Sequence, residues 1–114
     1  MEPIDYHGKI FRSVTNDGPG DVDGETRFFY HQKDHYLWGH YAGGQIQAGV
    51  LIGVVEKDSS LKFNYCHYDQ RGYKKSGVCH SVPVLKSGRL TMHEEWEWTD
   101  GVTGKGTSVL EEIK

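Results

Sequence analysis

Apolar and polar residues alternate along most of this chain. The clearest run covers residues 89–99. Leu90, Met92, Glu94, Trp96 and Trp98 share one face there, and Thr91, His93, Glu95 and Glu97 share the other. A period of two is the signature of a half-buried β-strand. The run Leu61, Phe63, Tyr65, His67 against Lys62, Asn64, Cys66, Tyr68 repeats it. Eight strands are expected: Lys9–Thr15, Glu25–Gln32, His35–Tyr41, Gln45–Glu56, Leu61–Tyr68, Lys74–Val82 (ended by Pro83), Arg89–Thr99 and Lys105–Ile113. Glycine and polar clusters separate them: Asn16-Asp17-Gly18-Pro19-Gly20, Lys33-Asp34, Gly43-Gly44, Lys57-Asp58-Ser59, Asp69-Gln70-Arg71-Gly72, Lys86-Ser87-Gly88, and a glycine-containing loop from Asp100 to Gly104. No stretch of about a dozen residues shows a helical period. Short connections imply antiparallel neighbours, because parallel pairs need long crossovers. Such strands leave exposed edges unless the sheet closes. The expected fold is therefore all-β, an antiparallel up-and-down barrel of about eight strands. A two-sheet sandwich, with residues 16–24 crossing between sheets, is the alternative.

Composition agrees with this picture. Fifteen glycines, seven tyrosines, four phenylalanines and three tryptophans suit a pleated, turn-rich chain. At 114 residues a single domain over 1–114 is expected, large enough for a core without staples. The formal net charge of −3 and the lack of any basic run argue against nucleic acid as a partner. No apolar stretch is long enough for a membrane helix. The start Met1-Glu2-Pro3-Ile4-Asp5 is unlike a secretory signal, which points to a cytoplasmic, reducing setting with free thiols at Cys66 and Cys79.

The chemistry centres on Glu94. A carboxylate among Met92, Trp96 and Trp98 on an inward face is costly unless it finds a donor or keeps its proton. It either receives a ligand donor, moves a proton, or pairs with an interior side chain. Tyr65 and His67 share the inward face of the fifth strand. The sixth strand is ambiguous. A two-residue loop at Arg71-Gly72 sets Phe63 opposite His80 and turns His80 inward, whereas a one-residue bulge brings Cys79 inward instead. The candidate ligand-binding set is Tyr65, His67, His80, Glu94, Trp96 and Trp98. No catalytic residue is assigned. Seven histidines form no metal-ligand spacing, so neither a metal nor a cofactor is expected. Gly104-Lys105-Gly106 leads into a β pattern and reads as turn chemistry, not as a phosphate loop.

The fourth strand is apolar on both faces, with Val50, Ile52 and Val54 on one and Leu51 and Val55 on the other. Gly49 and Gly53 flank Leu51 and leave its face flat enough for another backbone to approach. A homodimer through the Val50–Val55 region is expected, or a cover from the amino-terminal segment bearing Ile4 and Tyr6.

Four runs carry a resemblance: Gly8-Lys9-Ile10-Phe11-Arg12-Ser13, Gly43-Gly44-Gln45-Ile46, Gly77-Val78-Cys79-His80-Ser81-Val82-Pro83, and Leu90-Thr91-Met92-His93-Glu94-Glu95-Trp96-Glu97-Trp98-Thr99. They resemble a family of short bacterial proteins grouped with avidin-like β-barrels, whose members often bear the automatic label N-acetylglutamate synthase. The resemblance implies an avidin- or lipocalin-like barrel. It does not imply the enzyme, because an acetyltransferase of the usual type needs a mixed α/β fold and a glycine-rich loop opening a helix. The leading function is a small-molecule-binding barrel of unknown ligand. The alternatives are a barrel enzyme using Glu94 and a histidine for acid–base chemistry, or a structural or interaction module with a filled interior.

Overall fold

The computed structural model describes residues 3–100 and 103–114. Gly101 and Val102 of the expected glycine loop, with Met1 and Glu2, lie outside the described residues. Eight strands follow in order: β1 (Ile10–Asp17), β2 (Arg27–Lys33), β3 (Tyr36–Gly43), β4 (Ile46–Val55), β5 (Leu61–Asp69), β6 (Lys74–Lys86), β7 (Arg89–Asp100) and β8 (Lys105–Ile113). Each pairs antiparallel with the next, and β8 returns to β1, closing the barrel. The sandwich alternative is thereby excluded, and closure gives every strand a neighbour on both sides over part of its length.

Alternation decides which side chains fill the interior. Leu90, Met92, Glu94, Trp96 and Trp98 are buried on β7, while His93, Glu95 and Glu97 are exposed. Leu61, Phe63 and His67 are buried on β5, with Tyr65 half-buried beside them. The β6 extension past the expected end at Pro83 has a simple cause. Beyond Ser81, β6 keeps its β7 partner but has none on the β5 side. A residue without an N–H is tolerated where one ladder is missing.

The register of β5 against β6 is set by a turn that the sequence leaves open. Asp69 accepts the backbone N–H of Arg71 at 2.9 Å and of Tyr73 at 3.0 Å, while Asp69 N–H donates to the Tyr73 carbonyl at 3.0 Å. Gly72 sits at φ 88°, in the left-handed region. This is a three-residue loop closed by a glycine bulge, not a two-residue turn. Phe63 therefore faces Cys79, and Tyr65 faces Gly77. His80 points outward, exposed between Lys62 and Glu95. It does not line the interior, contrary to the two-residue reading. Cys79 is turned inward and Cys66 outward, so the two free thiols lie on opposite faces of the sheet.

The two ends of the barrel differ. At one, the segment before β1 forms a plug. Tyr6 is fully buried; its hydroxyl donates to the Ser59 carbonyl and its N–H to Gln32 Oε1 at 2.9 Å. Ile4 N–H donates to Ser59 Oγ at 3.0 Å. That segment closes the barrel's end and does not cover the outer face of β4. At the other end, β1 leaves β2 after Arg12 but stays paired with β8 as far as Asp17. The opening admits the β1–β2 connection, residues 18–26, across the mouth.

On β4 the expected roles of the two faces are exchanged. Leu51 is buried, whereas Val50 is 59% and Ile52 66% exposed. Gly49 and Gly53 make room for interior neighbours, not for another molecule. A Cβ on Gly49 would stand 2.6 Å from the Tyr41 ring, and one on Gly53 would meet Phe63.

Candidate functional site

Below the mouth lies a cavity of about 50 Å³ available to water centres. Its walls are Phe28, Tyr41, Leu51, Phe63, Tyr65, Trp96 and Trp98, with the polar groups of Asn16, Asp21, His67, Cys79, Glu94 and Ser108 set among them. Five of the six sequence candidates meet here: Tyr65, His67, Glu94, Trp96 and Trp98. His80 is the sixth and stands outside the wall.

Glu94 is placed by β7 alternation and faces Ser81 of β6 and Ser108 of β8 across the ladders. Ser108 Oγ donates to Glu94 Oε1 at 3.0 Å. Among the described residues Oε2 is buried without a hydrogen-bond partner, as are Ser81 Oγ, Tyr30 OH and Asn16 Oδ1. Burial pushes the Glu94 carboxyl up to about 7, with nearby hydroxyl and thiol groups of Ser108, Ser81 and Cys79 pulling it back. Burial also keeps the Cys79 thiol well above its ordinary range, and Glu94 beside it adds to the effect. Cys79 thus presents a protonated thiol to the cavity.

The mouth carries a second polar cluster. His67 Nδ1 is 2.9 Å from the Tyr41 hydroxyl and Nε2 is 2.9 Å from Asp21 Oδ2. Burial holds the Tyr41 phenol well above its usual range. The ionised Asp21 carboxylate can only accept, so Nε2–H donates to it, and in the neutral ring Nδ1 accepts from the Tyr41 hydroxyl. Lys75 Nζ donates to Asp21 Oδ1 at 3.1 Å and Oδ2 at 2.9 Å, and lies 3.5 Å from Asp69 Oδ2. Partial burial pushes Asp21 upward, but the hydrogen bonds and charges of Lys75 and His67 outweigh it and hold the carboxyl below its ordinary value. Two further contacts tie the loop down: Trp98 Nε1–H donates to the Pro19 carbonyl, and Asn16 Nδ2–H to the Val22 carbonyl, each at 2.9 Å.

Asp21, Tyr41, Lys75 and Ser108 are site residues that strand alternation alone did not single out. Lys75 shares an inward row with Gly77, Cys79 and Ser81, a row of small residues opposite Tyr65 and His67. That row was the available signal. Asp21 sits in a loop and offers no period to read.

The polar arrangement keeps Glu94 apart from the histidines. Among the described residues no histidine meets Glu94; its hydrogen-bond partner is a serine, and His67 is engaged by Tyr41 and Asp21. Among the described residues, too, no helix is long and apolar enough to cross a membrane.

No curated protein and no solved structure matches the chain. A family model described as "Avidin-like protein" matches residues 4–113, nearly the whole barrel including its plug and β8. The closed eight-strand barrel and the match together show that the chain belongs to the avidin-like family.

Proposed function

We propose that this protein binds a small molecule inside the barrel, the ligand presenting a hydrogen-bond donor or a compact cation to Glu94. The observation that carries this reading is Glu94 Oε2, buried in an aromatic-lined cavity and without a hydrogen-bond partner among the described residues, with only the Ser81 hydroxyl and Cys79 thiol near enough to favour its charge. Leaving buried polar atoms unsatisfied costs roughly 1–3 kcal/mol each. Packing alone would favour a leucine at position 94. Family membership supports small-molecule binding in the same direction. A cation would also meet the faces of Trp96 and Trp98. The reducing setting read from the sequence suits the two free thiols.

Ethylammonium and acetamide are probes of the right chemistry, one charged and one neutral. Titration followed by tryptophan fluorescence should show saturable binding of at least one in the parent. Glu94→Gln should weaken ethylammonium at least tenfold. Equal binding by parent and variant would make Glu94 a structural residue.

We propose further that two copies associate through the outer face of β4. Val50 and Ile52 are exposed there, with Tyr36 and Trp38 of β3 beside them. The contiguous stripe is apolar, and a twofold contact would bury it against itself.

A further inference from the structure

We propose that His67 and Lys75 form a built anion site at the barrel mouth, that Asp21 occupies it as an internal stand-in, and that a small monocarboxylate displaces Asp21 to bind there. The two donors sit opposite each other on β5 and β6, both buried. They belong to the barrel wall, whereas the anion between them belongs to a connecting loop.

Neither donor depends on Asp21 for its position. His67 is held by the Tyr41 hydroxyl at 2.9 Å. Lys75 keeps Asp69 at 3.5 Å, and Asp69 is locked into its turn by the N–H groups of Arg71 and Tyr73. Withdrawing Asp21 therefore leaves two oriented donors facing the mouth and no isolated buried charge. The indole of Trp98 forms the adjoining wall, with Lys75 Nζ 5.8 Å from its ring centroid and the His67 ring 5.6 Å away. A donor pair of this kind, fixed in low dielectric, receives a carboxylate with little reorganisation.

Exchange also fits the place of Asp21 on the segment that crosses the mouth. The cavity below the mouth is small, with about 50 Å³ open to water centres. A molecule entering by the mouth meets residues 18–26, which cross it. The Asp21 contacts are the charged part of what holds them. A ligand carboxylate replaces those contacts in kind, so that entry and opening of the loop become one exchange reaction.

The inference rests on reading the cavity as a binding site, but its test reads only the mouth. The probe is acetate, titrated at constant ionic strength with chloride as the balancing ion. The readout is the Trp98 indole ¹H–¹⁵N resonance together with the His67 ring nitrogens. Asp21→Ala removes the stand-in and should bind acetate at least tenfold more tightly than the parent does. Adding Lys75→Met to Asp21→Ala should abolish that gain. Parent and Asp21→Ala binding acetate equally, or neither binding it, overturns the proposal, as does tight binding that survives Lys75→Met. Asp21→Asn, which keeps the side-chain shape without the charge, should also exceed the parent. It guards against a folding defect peculiar to alanine. Failure of the acetate series leaves the ethylammonium result at Glu94 as a separate test of the interior site.

Discussion

Among single residues, Glu94 sets the character of the interior. Its carboxyl is raised by burial from an ordinary 4.5 to about 7. Below pH 4.5 the folded and unfolded states both carry the proton. Between 4.5 and about 7 only the folded state does, so the unfolded state binds fewer protons and stability falls as pH rises. Above about 7 the deficit is complete, about 3 kcal/mol for a shift of this size. Glu94→Gln should therefore be near neutral at pH 4.5 and stabilising by about that amount at pH 8. Thermal or denaturant melts across this range check it. A constant difference between the two proteins at every pH would mean that Glu94 ionises freely in the folded state. Asp69 has the opposite sign. Partial desolvation raises it, but the Tyr73 and Arg71 donors prevail and hold it at about 2. Its contribution is present above pH 3.8 and is lost as pH falls towards 2. The stability gap between the parent and Asp69→Asn should close over that interval in acid melts.

Strand packing depends on small residues at close approaches. A methyl group on Gly49 would lie 2.6 Å from the Tyr41 ring and 2.9 Å from His67 Cβ. Gly49→Ala should destabilise by about 1–3 kcal/mol, as overpacked cores do. It should also displace Tyr41 from His67, which the His67 ring-nitrogen shifts would report; unchanged shifts would mean that β4 yields instead. The elements themselves were largely legible in the sequence. Strict alternation on β7 and β5 placed Tyr65, His67, Glu94, Trp96 and Trp98 inward, because a one-residue slip would expose the whole apolar set. His80 was misplaced for a reason outside any alternation pattern. One extra residue in the Asp69–Tyr73 turn, held by a side chain, reverses every facing on β6. The faces of β4 were similarly hidden, since both are apolar, and only the contacts of Gly49 and Gly53 distinguish them. Asp21 was not legible at all. Its place over the mouth follows from β1 and β2 parting after Arg12, a feature of the closed barrel and not of the local sequence.

For the molecule as a whole, the barrel is closed at one end by Tyr6 and crossed at the other by residues 18–26, with the small aromatic-lined cavity between. Outside it, the β4 stripe is the surface proposed to join two copies. Sedimentation at micromolar concentration should give a dimer, and Ile52→Lys should give a monomer of unchanged fold. A parent that sediments as a monomer would reject the interface. The central claim is that the Glu94 cavity holds a small molecule. Native mass spectrometry of the protein purified from its own host tests it most directly. The account predicts a discrete small-molecule adduct on the parent, depleted or absent in Glu94→Gln prepared in the same way. A bare mass for the parent, or the same adduct at equal occupancy on both proteins, would contradict it.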